Sequence, residues 1–226
     1  MSKFGIGQPV RRTEDRRFIT GRGRFVDDID LPRQCHGVVV MSPHAHARIR
    51  GIDTARATAA EGVLAVLTGA DALADGLGRL HAPMPEDMGG PKGFRALRPL
   101  LASDKVRAVG DRVAFVVAET LAQARAAAEF VAVDYEPLPA VISIEDAVKP
   151  GAPAVWEENS GNVSFALMFG DAQATEAAFA RARHVVSLRL ANNRLAANSI
   201  EPRAALGDFR AEDEGFTLYS TTQNPH

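Results

Sequence analysis

Cysteine is nearly missing from this chain, with Cys35 the single thiol in 226 residues. One thiol cannot form an intramolecular disulfide, a cysteine-rich zinc site or an iron–sulfur cluster held by this chain alone, because each of these needs several sulfurs. Any redox metal would have to be bound by other means. Long apolar runs are missing too. No stretch approaches the ~18 apolar residues of a spanning helix, and the opening Met1-Ser2-Lys3-Phe4-Gly5-Ile6-Gly7 lacks the apolar core of a signal peptide. The expectation is a cytoplasmic protein with no membrane span. Charge of one sign is scarce as well. The 26 Lys and Arg stand against 28 Asp and Glu, a formal net charge of −2, which argues against a supercharged nucleic-acid binder. No Gly-x-Ser-x-Gly elbow occurs, so there is no local signature of a serine hydrolase.

What is present is ordinary globular material. Apolar residues make up 46% and charged residues 24%, enough for a conventional core in a chain that should bury about 70% of its unfolded surface. Strands are predicted at Cys35–Met41, where Val38-Val39-Val40 is β-branched and Pro43 ends the run, and at His46–Ile52, where polar and apolar residues alternate. Gly62–Thr68 reads as another strand, and Thr68-Gly69-Ala70-Asp71 has capping-box spacing for a following helix. Residues 76–99, rich in Gly, Pro and Met, read as a long loop.

Lys105–Ala108 and Val113–Ala118 look like the two strands of a hairpin turning at Gly110-Asp111. Thr120 opens an alanine-rich helix reaching Glu129, and Phe130–Tyr135 alternates as a strand. Pro150-Gly151-Ala152-Pro153 has the composition of a linker. Beyond it, Asn162–Phe169, His184–Leu190, Ala204–Phe209 and Phe216–Ser220 are strand-like, with a helix capped by Asp171 running to about Ala182. The pattern is α+β in two parts, without internal repeats.

Candidate chemistry is sparse. Arg11, Arg12, Arg16, Arg17, Arg22 and Arg24 make a basic segment next to Asp27, Asp28 and Asp30. It reads either as an RNA-binding arm or as an irregular lead-in whose arginines pair with carboxylates, and the nearby acids favour the second. Gly5-Ile6-Gly7 and Gly21-Arg22-Gly23 lack the strand-to-helix context of a dinucleotide fingerprint. His44 and His46, two apart, would face one side of a strand, which is compatible with metal ligation, but no third ligand stands nearby. Glu201 could act as an acceptor or base, and the Gln223 amide could donate to an oxo group.

Longer stretches carry a resemblance. Arg12-Thr13-Glu14-Asp15-Arg16-Arg17-Phe18 with Gly21-Arg22-Gly23-Arg24-Phe25-Val26-Asp27-Asp28-Ile29, then Ser42-Pro43-His44-Ala45-His46-Ala47-Arg48-Ile49 and Gly62-Val63-Leu64-Ala65-Val66-Leu67-Thr68-Gly69, resemble molybdenum hydroxylase large subunits. Val106-Arg107-Ala108-Val109-Gly110-Asp111-Arg112-Val113-Ala114, Val133-Asp134-Tyr135-Glu136-Pro137-Leu138-Pro139-Ala140 and Ser220-Thr221-Thr222-Gln223-Asn224-Pro225-His226 continue it in family order. The family is that of xanthine dehydrogenase and aldehyde oxidase, in its carbon-monoxide-dehydrogenase large-chain branch.

The resemblance implies a lead-in at residues 1–19, an α/β hammerhead domain at 20–140 and, at 141–226, the first and incomplete segment of a molybdopterin-binding domain. It implies oxidation of aldehydes, purines or other N-heterocycles, or carbon monoxide, with oxygen taken from water. The cofactor would be molybdenum on a pterin dithiolene, as the cytosine dinucleotide in bacterial forms, with iron–sulfur clusters and FAD on partner subunits. Gln223 matches the glutamine that hydrogen-bonds an oxygen ligand of molybdenum, an outer contact that would orient and tune the centre. Glu201 matches, more loosely, a carboxylate near the substrate pocket, and no metal ligand is assigned to the chain. The glutamate base and most of the cofactor cradle lie downstream in the family, so a chain ending at His226 is expected not to retain molybdopterin alone. The alternative is a non-catalytic hammerhead module that binds the iron–sulfur or flavin subunit.

Overall fold

A computed structural model of the chain describes residues 11–192, 195 and 198–222. Two compact units emerge: Gln34–Val185, and a second one drawn from both chain ends, within 1–33 and 186–226. The larger unit contains β1 (His36–Met41), β2 (Ala47–Asp53), β3 (Val63–Thr68), β4 (Arg79–Leu80), β5 (Arg98–Pro99), β6 (Lys105–Val106), β7 (Arg112–Ala118) and β8 (Ala132–Pro137). Its helices, numbered after α1 of the smaller unit, are α2 (Ala55–Thr58), α3 (Gly69–Ala74), α4 (Leu121–Ala128), α5 (Ile144–Ala147) and α6 (Ala172–Arg181). The mixture is α+β, as expected.

Burial on both faces of β7 sets the architecture. Val113, Ala114, Val116 and Ala118 are buried, and the strand sits between β1 and β3, antiparallel to both. A second antiparallel sheet runs β6-β2-β8. The two meet through Ala47, Ala102, Val106 and Val113, with Val40, Ile49, Val133 and Tyr135 packed around them. Helix α4 covers β1 and β7 and buries Ala124 and Ala127. Small residues are needed where layers close: a Cβ on Gly37 would come 2.2 Å from the Phe115 ring.

Caps start the helices where the sequence places them. The Thr68 amide donates to Asp71 Oδ2 at 2.7 Å before α3, and Gln123 N donates to Thr120 Oγ1 at 3.2 Å before α4. Ala174 N donates to Asp171 Oδ1 at 2.9 Å before α6.

Several expectations are corrected. Lys105–Ala108 and Val113–Ala118 do not form a hairpin: β6 pairs with β2, whereas β7 lies in the other sheet. The turn between them explains the divergence. Asp111 Oδ2 accepts from the amides of Arg107 and Ala108 at 2.6 and 3.1 Å, and Ser42 exchanges backbone hydrogen bonds with Asp111 and Gly110 at 2.8 Å each. The turn is therefore tied to the end of β1 rather than closed on itself, and the chain crosses between sheets.

Asn162–Phe169 and His184–Leu190 are not strands. Alternation marks a face, but a strand also needs a partner for its amides and carbonyls, and no ladder reaches either segment among the described residues. The Pro150–Pro153 segment forms a turn within the larger unit. Asn162 knits it down, with Nδ2 donating to Ala147 O and Pro153 O at 2.9 and 3.0 Å and Oδ1 accepting from Val155 N at 2.9 Å. Residues 76–99 hold the short β4–β5 ladder and a 3-10 turn at Pro85–Met88. There the Arg95 guanidinium beside Asp87 holds that carboxyl below the usual range.

The smaller unit contains α1 (Asp15–Ile19), a 3-10 turn at Val26–Asp28, and the hairpin of β9 (Ala205–Arg210) and β10 (Gly215–Ser220). The basic segment is thus not wholly irregular: Glu14 O accepts from Arg17 N and Phe18 N at 2.9 and 3.1 Å and closes α1. None of the described residues in this unit is buried.

Candidate functional site

The structure places Glu201 between the 3-10 turn and the end of the β9–β10 hairpin, all within the smaller unit. Phe18 stacks on Phe25 with ring centroids 5.6 Å apart, and Gly23 lets them approach, since a Cβ there would lie 2.7 Å from the Phe18 ring. Phe25 N donates to Asp28 Oδ2 at 2.8 Å, which closes the 3-10 turn and presents the amide of Val26. Glu201 Oε1 accepts that amide at 3.2 Å and the Thr221 hydroxyl at 3.2 Å. Thr221 N also donates to Ala204 O at 3.1 Å, one step past the hairpin ladder. A carboxylate oxygen with two donors acts as a brace that fixes the strand end. That strand leads to Gln223, which lies outside the described residues.

The histidines do not behave as strand-mounted ligands. His44 and His46 sit in the bend before β2 rather than on a strand. The His44 ring packs on Tyr135 at 4.7 Å, where burial raises the phenol pKa. His46 Nδ1 lies 2.8 Å from Pro139 O, while its Nε2 is buried without a hydrogen-bond partner among the described residues. Among the described residues no three His, Cys, Asp or Glu side chains gather to hold a metal. A metal carried on a pterin dithiolene would not need such a set, since sulfur ligands come with the cofactor. Gly21 and Gly23 serve the turn and the Phe18 contact, with Gly21 at φ +67°.

Sequence reasoning missed a cavity of about 280 Å³ in the larger unit, lined by Arg98, Lys105, Arg107, Arg112 and Trp156. The chain's single tryptophan was the available signal. Arg107 lies 4.0 Å over the Trp156 ring and donates from Nε to Val155 O at 3.1 Å. Lys105 is 6% exposed, and its ammonium pairs with Glu157. Burial, then repulsion from Arg107 and Arg48, holds the Lys105 pKa below the ordinary lysine range.

A β1-β7-β3 sheet under α4 that packs on a second β6-β2-β8 sheet, followed in the chain by the β9–β10 hairpin, is the arrangement of an α/β hammerhead domain followed by the start of a molybdopterin-binding domain. Family models agree: the aldehyde oxidase and xanthine dehydrogenase a/b hammerhead domain matches residues 20–139, and the molybdopterin cofactor-binding domain matches 155–226. The chain belongs to the aldehyde oxidase and xanthine dehydrogenase family.

Among curated relatives, the nicotine 6-hydroxylase large subunit of Paenarthrobacter nicotinovorans is 38% identical over 98% of this chain and 26% of its own length. The carbon monoxide dehydrogenase large chain of Afipia carboxidovorans is 35% identical over 98% of this chain and 28% of its own. Quinoline 2-oxidoreductase from Pseudomonas putida 86 superposes with a TM-score of 0.81 at 35% identity, over 99% of this chain and 28% of that one. The chain thus spans about a quarter of the length of these relatives. Among the described residues no helix is long and apolar enough to cross a membrane.

Proposed function

We propose that this chain is the amino-terminal part of a cytoplasmic molybdenum-dependent hydroxylase large subunit, completed by a downstream region and by iron–sulfur and FAD subunits. The substrate class is an aldehyde, a purine or other N-heterocycle, or carbon monoxide, oxidised with oxygen from water. N-heterocycles stand first, because the names of two relatives specify nicotine and quinoline. The observation that carries the reading is the succession, in one chain, of a hammerhead domain and a cofactor-domain start. We divide them at about residue 140, after a lead-in at 1–19.

Molybdenum on a molybdopterin cytosine dinucleotide would supply the two-electron oxidation. The chain's own residues would orient and brace. The Gln223 amide would donate to an oxygen ligand of the metal, where a neutral donor steers geometry without adding charge. Glu201, as a positioning residue, would hold Val26 and Thr221 so that the strand end before Gln223 keeps its place. Further cofactor contacts are assigned to the downstream region.

The test is coexpression of the chain with a downstream region and partner subunits, followed by metal analysis and dye-linked oxidation of aldehydes and N-heterocycles. Stoichiometric molybdenum and turnover are expected, with both reduced by Gln223→Ala. A folded complex with no molybdenum would overturn the reading. Binding of the partner subunits without turnover would favour the interaction module.

A further inference from the structure

We propose that the cavity lined by Arg98, Lys105, Arg107 and Arg112 is a binding site for a small phosphate-bearing anion. Four cations converge on one cavity where, among the described residues, Asp111 is the only lining carboxylate. Asp111 is already engaged by the amides of Arg107 and Ala108. Glu157 approaches from the side: Oε1 pairs with Lys105, and Oε2 lies 3.9 Å from Arg107. Asp104 and Glu158 also act on Lys105, as does Arg48, so five cations face four carboxylates and the balance stays positive, which suits a phosphate anion. Arg98 and Arg112 are exposed and have no ion pair with a described carboxylate, so their forks are free for bidentate contact with phosphate oxygens.

The interior of the cavity is built for charge. Lys105 is almost wholly out of water, and an ammonium so placed gains most from a doubly charged neighbour. Arg107 is held flat by the Trp156 ring and by Val155 O, so little of its side-chain freedom remains to be lost on binding. Glu157, by contrast, is 57% exposed and can swing out. Its carboxylate competes with an incoming anion for Lys105. A cavity of about 280 Å³ lies at the lower end of ligand pockets, which favours inorganic phosphate or a compact phosphate ester over a dinucleotide.

Trp156, the only indole in the chain, reports on the site directly. The full chain is titrated with inorganic phosphate and, separately, glycerol phosphate at constant ionic strength, against sodium chloride, with emission recorded. A saturable change with either phosphate and none with chloride is expected. Tighter binding of the ester identifies an organic phosphate as the ligand, and equal or weaker binding identifies the free ion. Arg98→Gln and Arg112→Gln, both at exposed positions, should each weaken binding about tenfold, the loss of one charge-assisted contact. Glu157→Gln should tighten it severalfold by removing the competing carboxylate. No saturable response up to about 10 mM, a range reaching only the weakest specific affinities, would overturn the proposal. So would an equal response to chloride, or unchanged affinity in both arginine variants with native circular dichroism.

Discussion

Strand β7 and strand β10 both carry large apolar residues and end in opposite environments. In β7, Val113 and Val116 are fully buried between α4, a flanking strand on each side and the second sheet. In β10, Phe216 and Leu218 are 76% and 69% exposed, although the β9–β10 ladder is in perfect register. The contrast separates two requirements. A ladder follows from local alternation and a turn, whereas a core needs a second layer over the apolar face. Within the smaller unit, cross-strand contacts replace a core: Phe209 and Phe216 sit opposite one another with centroids 4.8 Å apart.

The largest expected effect comes from breaking this contrast directly. Val116→Ala removes two buried methyl groups and leaves a cavity, at a cost of about 2 kcal/mol. Phe216→Ala loses an exposed aromatic pair worth about 1 kcal/mol. Amide hydrogen exchange reads the two regions separately. Protection should fall across β1, β3 and β7 in the first variant and only in β9 and β10 in the second. Equal losses in both would mean that the hairpin face is covered in solution.

Helix caps give a smaller effect on the same axis. Thr120 caps α4, which buries Ala124 and Ala127, whereas Asp171 caps α6, which buries nothing. Removing either cap costs about 1 kcal/mol of helix stability. Only Thr120→Ala should lower the melting temperature of the larger unit's sheet signal. Asp171→Ala should reduce helicity by circular dichroism and leave the sheet transition in place.

Legibility in the sequence follows the same division. The longer strands of the larger unit were readable from their β-branched or alternating apolar residues, and the helix starts from Thr68, Thr120 and Asp171 at capping positions. The pairing of β6 was not readable. It depends on Asp111 and Ser42 tying a turn to β1, a contact between residues far apart in sequence. The alternating Asn162–Phe169 and His184–Leu190 segments misled for the reverse reason, since they carry the apolar pattern and lack the ladder. At the candidate site, Gln223 and Glu201 were singled out as residue types and by resemblance. The brace that joins Glu201 to Val26, 175 positions away, could only be seen in the fold. The cationic cavity was not legible because its wall from residues 98–112 is closed by Val155 and Trp156, more than forty positions away, and Trp156 alone marked it.

Acid titration supplies the smallest effect and the finest version of the comparison. Asp71 in the larger unit is held below the usual carboxyl range first by the Thr68 hydroxyl and then by the Thr68 amide. Asp213 in the smaller unit is held below it first by Arg210 and then by the Gly215 amide. For each, the folded pKa lies under the unfolded value near ~3.9. Each carboxylate therefore contributes stability above that value and loses the contribution as pH falls through the lower folded value. Asp71→Asn and Asp213→Asn should each flatten the acid limb of the stability profile of its own unit below about pH 4. Salt distinguishes the causes. At about 1 M, where the screening length falls to ~3 Å, the Asp213 shift should shrink because its main source is an exposed ion pair, whereas the Asp71 shift, made by neutral donors, should persist. Carboxyl carbon titration by NMR reads both groups at once. A salt-sensitive Asp71 would show that a charge rather than its cap sets its pKa.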